Sequence, residues 1–108
     1  MGLFGRKNKN EEDMNDYGAL RVVVTGCDLK QRNRIVVDCI VSSGRVKSGE
    51  KLLYKPEFGQ ETTVVVEKIE AMMMGLDYAV EGTTARFTLS GSFDMLDPTE
   101  GDYLTREY

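Results

Sequence analysis

Three turns constrain this chain more than anything else in it: Val46-Lys47-Ser48-Gly49-Glu50-Lys51-Leu52-Leu53, Ala79-Val80-Glu81-Gly82-Thr83-Thr84-Ala85-Arg86-Phe87 and Glu100-Gly101-Asp102-Tyr103-Leu104. Each places a glycine in a polar turn directly before residues that read as a strand. Glycine adopts positive φ without a Cβ clash, so the chain can reverse in one step and begin pairing at once. Such punctuation belongs to short strands joined by tight turns, as in a small barrel.

The alternation of side chains fills in the strands. Leu20 to Thr25 is rich in valine, with Leu20, Val22 and Val24 predicted inward. Arg34 to Val41 alternates, with Ile35, Val37, Cys39 and Val41 on the core face, and Asp28 to Asn33 reads as the hairpin loop between the two strands. Lys51 to Lys55 makes a third strand, stopped by Pro56, which cannot donate to a ladder. From Thr62 to Met72 the parity changes partway: Val64 and Val66 share one face, Ile69 and Ala71 the other. An extra residue near Glu67-Lys68 repairs the register, so a β-bulge is expected there. Thr84 to Ser90 sends Ala85, Phe87 and Leu89 inward and Arg86 outward, and Tyr103 to Thr105 supplies a last strand. The fold class is therefore all-β, a six-stranded, mainly antiparallel closed β-barrel over residues 18–108, without a long free edge. Residues 1–17, basic and then acidic without apolar periodicity, read as a disordered leader.

Composition bounds what such a barrel does. The chain has 108 residues, enough for one core, and 14 basic against 18 acidic side chains leave a net charge of -4, opposite to the basic excess of a dedicated nucleic-acid binder. No apolar run spans a bilayer and Met1 to Asn10 lacks the apolar centre of a secretory signal, so the default compartment is the cytoplasm. Leu3 and Phe4 with Arg6 and Lys7 could touch an anionic membrane, but Arg6 stands where a myristoylation pattern needs Ser or Thr. Histidine is absent, which removes the commonest general base and metal ligand together. No cofactor and no metal are expected. Cys27 and Cys39 fall on opposite strand faces and are expected as free thiols, Cys39 buried and Cys27 accessible.

In order and spacing, residues from about Leu20 to Leu104 resemble the second, β-barrel domain of the translational GTPases, such as elongation factor Tu, elongation factor G and initiation factor 2. The resemblance rests on Val36 to Val41, Ser43-Gly44-Arg45-Val46, Lys47-Ser48-Gly49-Glu50, Ala79-Val80-Glu81-Gly82, Ala85 to Gly91 and Glu100-Gly101-Asp102-Tyr103-Leu104. It implies a translation-protein barrel. No Gly-x-x-x-x-Gly-Lys-Ser/Thr run is present, so GTP binding and hydrolysis do not carry over. Thr83 stands where the family often has an acid, and Ser90 where it commonly has a basic residue; in elongation factor Tu that surface helps hold the aminoacylated end of transfer RNA.

Candidate sites are few. Lys30, Arg32 and Arg34 crowd one hairpin, Arg45 and Lys47 follow, and together they form the candidate partner-binding face; on their own they also read as solvated charge, without an interleaved aromatic for base stacking. Met72-Met73-Met74 reads as a plug in the barrel mouth with one residue exposed, against an adaptable binding surface as the alternative. Asp94, Asp97, Glu100 and Asp102 read as a solvated loop without calcium-loop spacing, and Asp38 with Glu67 or Glu70 as an unsupported catalytic pair. The expected function is non-enzymatic: a barrel docking on a protein or ribonucleoprotein partner, with RNA binding through the basic hairpin as the alternative.

Overall fold

Strand alternation and glycine turns produce nine strands in the computed structural model, which describes residues 19–106. They are β1 (Arg21–Lys30), β2 (Arg34–Ser43), β3 (Arg45–Lys47), β4 (Lys51–Lys55), β5 (Thr62–Ala71), β6 (Met74–Leu76), β7 (Tyr78–Val80), β8 (Thr84–Gly91) and β9 (Tyr103–Thr105). Six of them close a ring in the order β4-β9-β1-β2-β8-β5, sealed by the β4–β5 pairing. Every neighbouring pair is antiparallel. The expected six-stranded barrel is the observed one. The expected leader, and Gly18, Glu107 and Tyr108 of the expected barrel span, lie outside the described residues.

The period-2 pattern explains the core. Val22, Val24, Ile35, Val37, Cys39 and Val41 from β1 and β2 share one buried core with Ala85, Phe87 and Leu89 from β8. Val64, Val66 and Ile69 are all buried on β5 because its register slips between Val66 and Lys68, so the extra residue at Glu67 restores the inward face. Gly49, Gly82 and Gly101 have φ of 93, 92 and 103°, the left-handed conformation that the three turns require.

The short elements were not anticipated. β3 and β7 form a separate two-stranded ribbon, with Val46 opposite Ala79, both buried. β6 returns along β5 as a hairpin whose tip is Met72-Met73. β1 also runs on through Lys30, so the expected Asp28 to Asn33 loop shrinks to the few residues before Arg34. Register shifts at Val24/Gly26 and Cys27/Leu29 let the strand keep pairing with β2. Cys27 is exposed and Cys39 buried, both free. Burial pushes the Cys39 thiol up to about 12, and the nearby Asp38 charge adds to the shift.

Asp102 is the clearest departure from the sequence reading. It is 1% exposed rather than part of a solvated loop. The Tyr54 hydroxyl donates to Oδ2 at 2.7 Å, and the backbone N–H groups of Glu57 and Thr99 donate to Oδ1 and Oδ2, each at 2.8 Å. Three donors satisfy a carboxylate that burial would otherwise penalise. The same environment raises the Tyr54 pKa, first by burial and then by its bond to Asp102. The charge thus ties the turn before β9 to the end of β4.

Candidate partner-binding surfaces

With side chains filling the interior, chemistry is left to the outside of the ring. The five candidate cations fall into two groups there. Lys30 and Arg32 sit at the β1–β2 hairpin, where Lys30 Nζ meets Asp97 Oδ1 at 3.0 Å and Arg32 Nε meets Asp94 Oδ1 at 3.2 Å. The acidic loop between β8 and β9 therefore pairs with this positive charge while leaving Arg32 exposed. Arg34 opens β2 opposite Ser90 and is exposed. Arg45 and Lys47 lie beyond the far end of β2, a ten-residue strand of roughly 30 Å at about 3.3 Å per residue.

The second group has a feature that the sequence did not show. In the β3–β7 ribbon Val46 and Ala79 turn inward, so Arg45 and Lys47 share the outer face with their partners Val80 and Tyr78. The Arg45 guanidinium carbon lies 5.4 Å from the centroid of the Tyr78 ring, and Tyr78 is 54% exposed. An aromatic does stand among these cations. It was missed because a three-residue strand carries too little alternation to be seen. The ribbon is braced from behind: Arg106 Nη2 donates to the Arg45 carbonyl, and Arg106 Nε meets Glu50 Oε2 at 2.7 Å.

At the same end of the barrel the methionines form a surface instead of a plug. Met72, Met73 and Met74 are 93, 99 and 65% exposed. The two-residue turn that joins β5 to β6 forces left-handed backbone on Met72 and Met73, with φ of 53 and 67°, and holds both side chains clear of the mouth. Below the tip lies a hollow of about 610 Å³ lined by Asp38, Glu70, Met72, Met73, Thr84 and Arg86. Arg86 runs across its floor, with Nε donating to Asp38 Oδ1 at 2.9 Å and Nη1 to Asp28 Oδ2 at 3.5 Å. These partners hold Asp38 in an ion pair, not in a carboxylate pair with Glu67 or Glu70. Among the described residues no cluster of three or more cysteines and carboxylates is placed to hold a metal ion.

No family model and no curated protein matches the chain. Solved structures do. Translation elongation factor SelB from Methanococcus maripaludis superposes with a TM-score of 0.71 at 19% identity, over 82% of this chain and 19% of that one. The Ski7 GTPase-like domain of S. cerevisiae, bound to GTP, gives 0.74 at 11% identity, over 90% of this chain and 26% of that one. The fold is that of a β-barrel present in these translation factors. A bacterial selenocysteine-specific elongation factor gives 0.63 at 22% identity over 86% of this chain and 15% of its own length. At these identities the likeness is one of fold. The chain spans about a fifth of the length of the first of these structures, and the match is to a region the size of a barrel.

Proposed function

We propose that this barrel is a non-enzymatic docking module for a larger protein or ribonucleoprotein in the cytoplasm, with Lys30, Arg32, Arg34, Arg45 and Lys47 as its candidate contact residues. The observation that carries the reading is the outer face of the β3–β7 ribbon, where Arg45 and Lys47 stand beside the exposed Tyr78 and Val80. A small barrel with a filled interior works through its surface, and exposed cations beside an aromatic steer and then anchor an acidic partner. The likeness to translation factors supports a partner from the translation apparatus.

RNA binding is the second reading, and Tyr78 favours it, because an exposed ring beside cations is a stacking platform for an unpaired base. Replacing all five cations with serine should leave the melting curve nearly unchanged, since the ion pairs it removes are exposed. It should weaken recovery of the partner. Unchanged recovery would remove this face from the reading. Steep loss of binding with salt, together with loss on Tyr78→Ala, would select RNA over protein. The purified chain should turn over no GTP, and measurable turnover would defeat the docking-module reading.

A further inference from the structure

Met72 and Met73 stand apart in two respects. Among the described residues they are the non-glycine positions with left-handed backbone, and both are almost fully exposed. A two-residue hairpin turn of this geometry forms at least cost from Asn and Gly, so two methionines place flexible apolar bulk at the tip at the expense of the backbone. Met74 stands beside them, and Ile40 on β2 pairs with Thr84 at the edge of the hollow. Together these four side chains expose roughly 600 Å², at the upper limit of the apolar patch a monomer usually leaves uncovered. A patch of that size marks an interaction site.

The hollow under the tip narrows the chemistry of what covers it. Of its charged lining residues, Arg86 is bonded to Asp38 at 2.9 Å and Glu70 is paired with Lys68 at 3.4 Å. Charges already paired leave little to hold a charged ligand, so the hollow suits an uncharged, flexible, apolar insert. The tip beside it does not fill it, because Met72 and Met73 line its edge and stay exposed. The same tip on a second copy has the required character: two uncharged methionines projecting from a two-residue turn. Tip and hollow adjoin on one surface, so one two-fold axis beside the tip can set each tip in the other copy's hollow. That reciprocity is what a symmetric dimer requires of a single patch.

We propose that the methionine pole is a self-association surface, with the Met72-Met73 tip of each copy inserted in the hollow of the other. Mutual burial of the patch removes on the order of 1,200 Å², the small end of specific interfaces, so the dimer forms reversibly. Arg45, Lys47 and Tyr78 on the ribbon stay outside the contact, which goes beyond the docking reading and does not depend on it. The net charge of -4 on each copy opposes association, and salt relieves that repulsion.

Sedimentation of the full chain from about 10 μM to about 1 mM tests this. The wild type should pass from monomer towards dimer within that range, and the dimer should be no weaker in about 0.5 M sodium chloride. Met72→Asn/Met73→Gly removes the tip with residues the turn favours, so it should keep or raise the melting temperature and stay monomeric. Thr84→Arg puts a charged chain into the hollow, leaves the tip intact and should stay monomeric too. In a mixture of carbon-13-labelled and unlabelled wild type, isotope-filtered nuclear Overhauser effects should connect the Met72 and Met73 methyls to Thr84 of the other copy. A wild type that is monomeric throughout the range would overturn the proposal, as would a dimer that survives Met72→Asn/Met73→Gly. A dimer dissolved by salt would overturn it as well, because the contact would then join the basic hairpin of one copy to the acidic loop of another.

Discussion

The wall made by β2, β8 and β5 and the seam made by β4, β9 and β1 close the same ring by different means. In the wall the ladder is long: β2 and β8 pair from Arg34 and Ser90 through Ile40 and Thr84 without a shift, and buried side chains repeat at every second residue. In the seam β9 has three residues, and it meets β1 through Val22 with Leu104 and Val23 with Tyr103, extended by two backbone bonds, Val24 N–H to the Asp102 carbonyl at 2.8 Å and Gly101 N–H to the Val24 carbonyl at 2.9 Å. Side chains supply what the backbone lacks there. Asp102 gathers Tyr54, Glu57 and Thr99, the Thr105 hydroxyl donates to the Leu20 carbonyl at 2.8 Å, and Arg21 stacks on Tyr103 at 4.0 Å. A ring can thus be closed by a few well-placed polar bonds where pairing is short.

The largest effect should come from the wall. Phe87→Ala empties a fully buried aromatic site and should destabilise by about 3 to 5 kcal/mol in denaturant melts. Asp102→Ala tests the seam: it leaves the Tyr54 hydroxyl and two backbone donors without their acceptor and should cost about 2 to 4 kcal/mol. A loss below about 1 kcal/mol would mean that backbone pairing alone holds the seam and the contrast between the regions fails. Tyr54→Phe, which removes one of the three donors, should cost about 1 to 2 kcal/mol.

Alkaline titration sharpens the comparison within the wall. The folded pKa of Cys39 lies above its unfolded value, so the unfolded chain releases the thiol proton first and stability falls as pH rises from 9.0 towards about 12. The slope from this group is at most about 1.4 kcal/mol per pH unit, and melts of Cys39→Val should show a flatter profile above pH 9.0. If the two profiles coincide, the seam's Tyr54, whose pKa is also raised, carries the alkaline loss. The smallest effect should be that of Arg86→Ala on the outer face of the wall, a small fraction of the Phe87→Ala loss because its ion pairs are solvated. An effect equal to that of Phe87→Ala would reverse the inside and outside of β8.

The wall was legible in the sequence because long strands repeat their pattern. Ile35 to Val41, Ala85 to Leu89 and even the Glu67 bulge follow from parity. β3, β6 and β7, of three residues each, offered no such repeat, and with them Tyr78 beside Arg45 stayed hidden. Asp102 misled for a different reason. Its neighbours Asp94, Asp97 and Glu100 are exposed and it shares their chemistry, while its burial depends on donors from Tyr54 and Glu57, far away in the sequence. The methionine tip was misread because greasy side chains suggest burial, whereas a two-residue hairpin turn with left-handed backbone directs them outward. Of the candidate cations, sequence proximity grouped all five, and the length of β2 divides them.

Because β1 and β9 are neighbours, the two ends of the ring leave it side by side, with Thr105 bonded to Leu20. A fold with adjoining ends can be spliced into a surface loop of a host protein without pulling that loop apart, and it can be circularly permuted by joining those ends and opening one of its turns. A cassette with this geometry can be moved between chains as a unit.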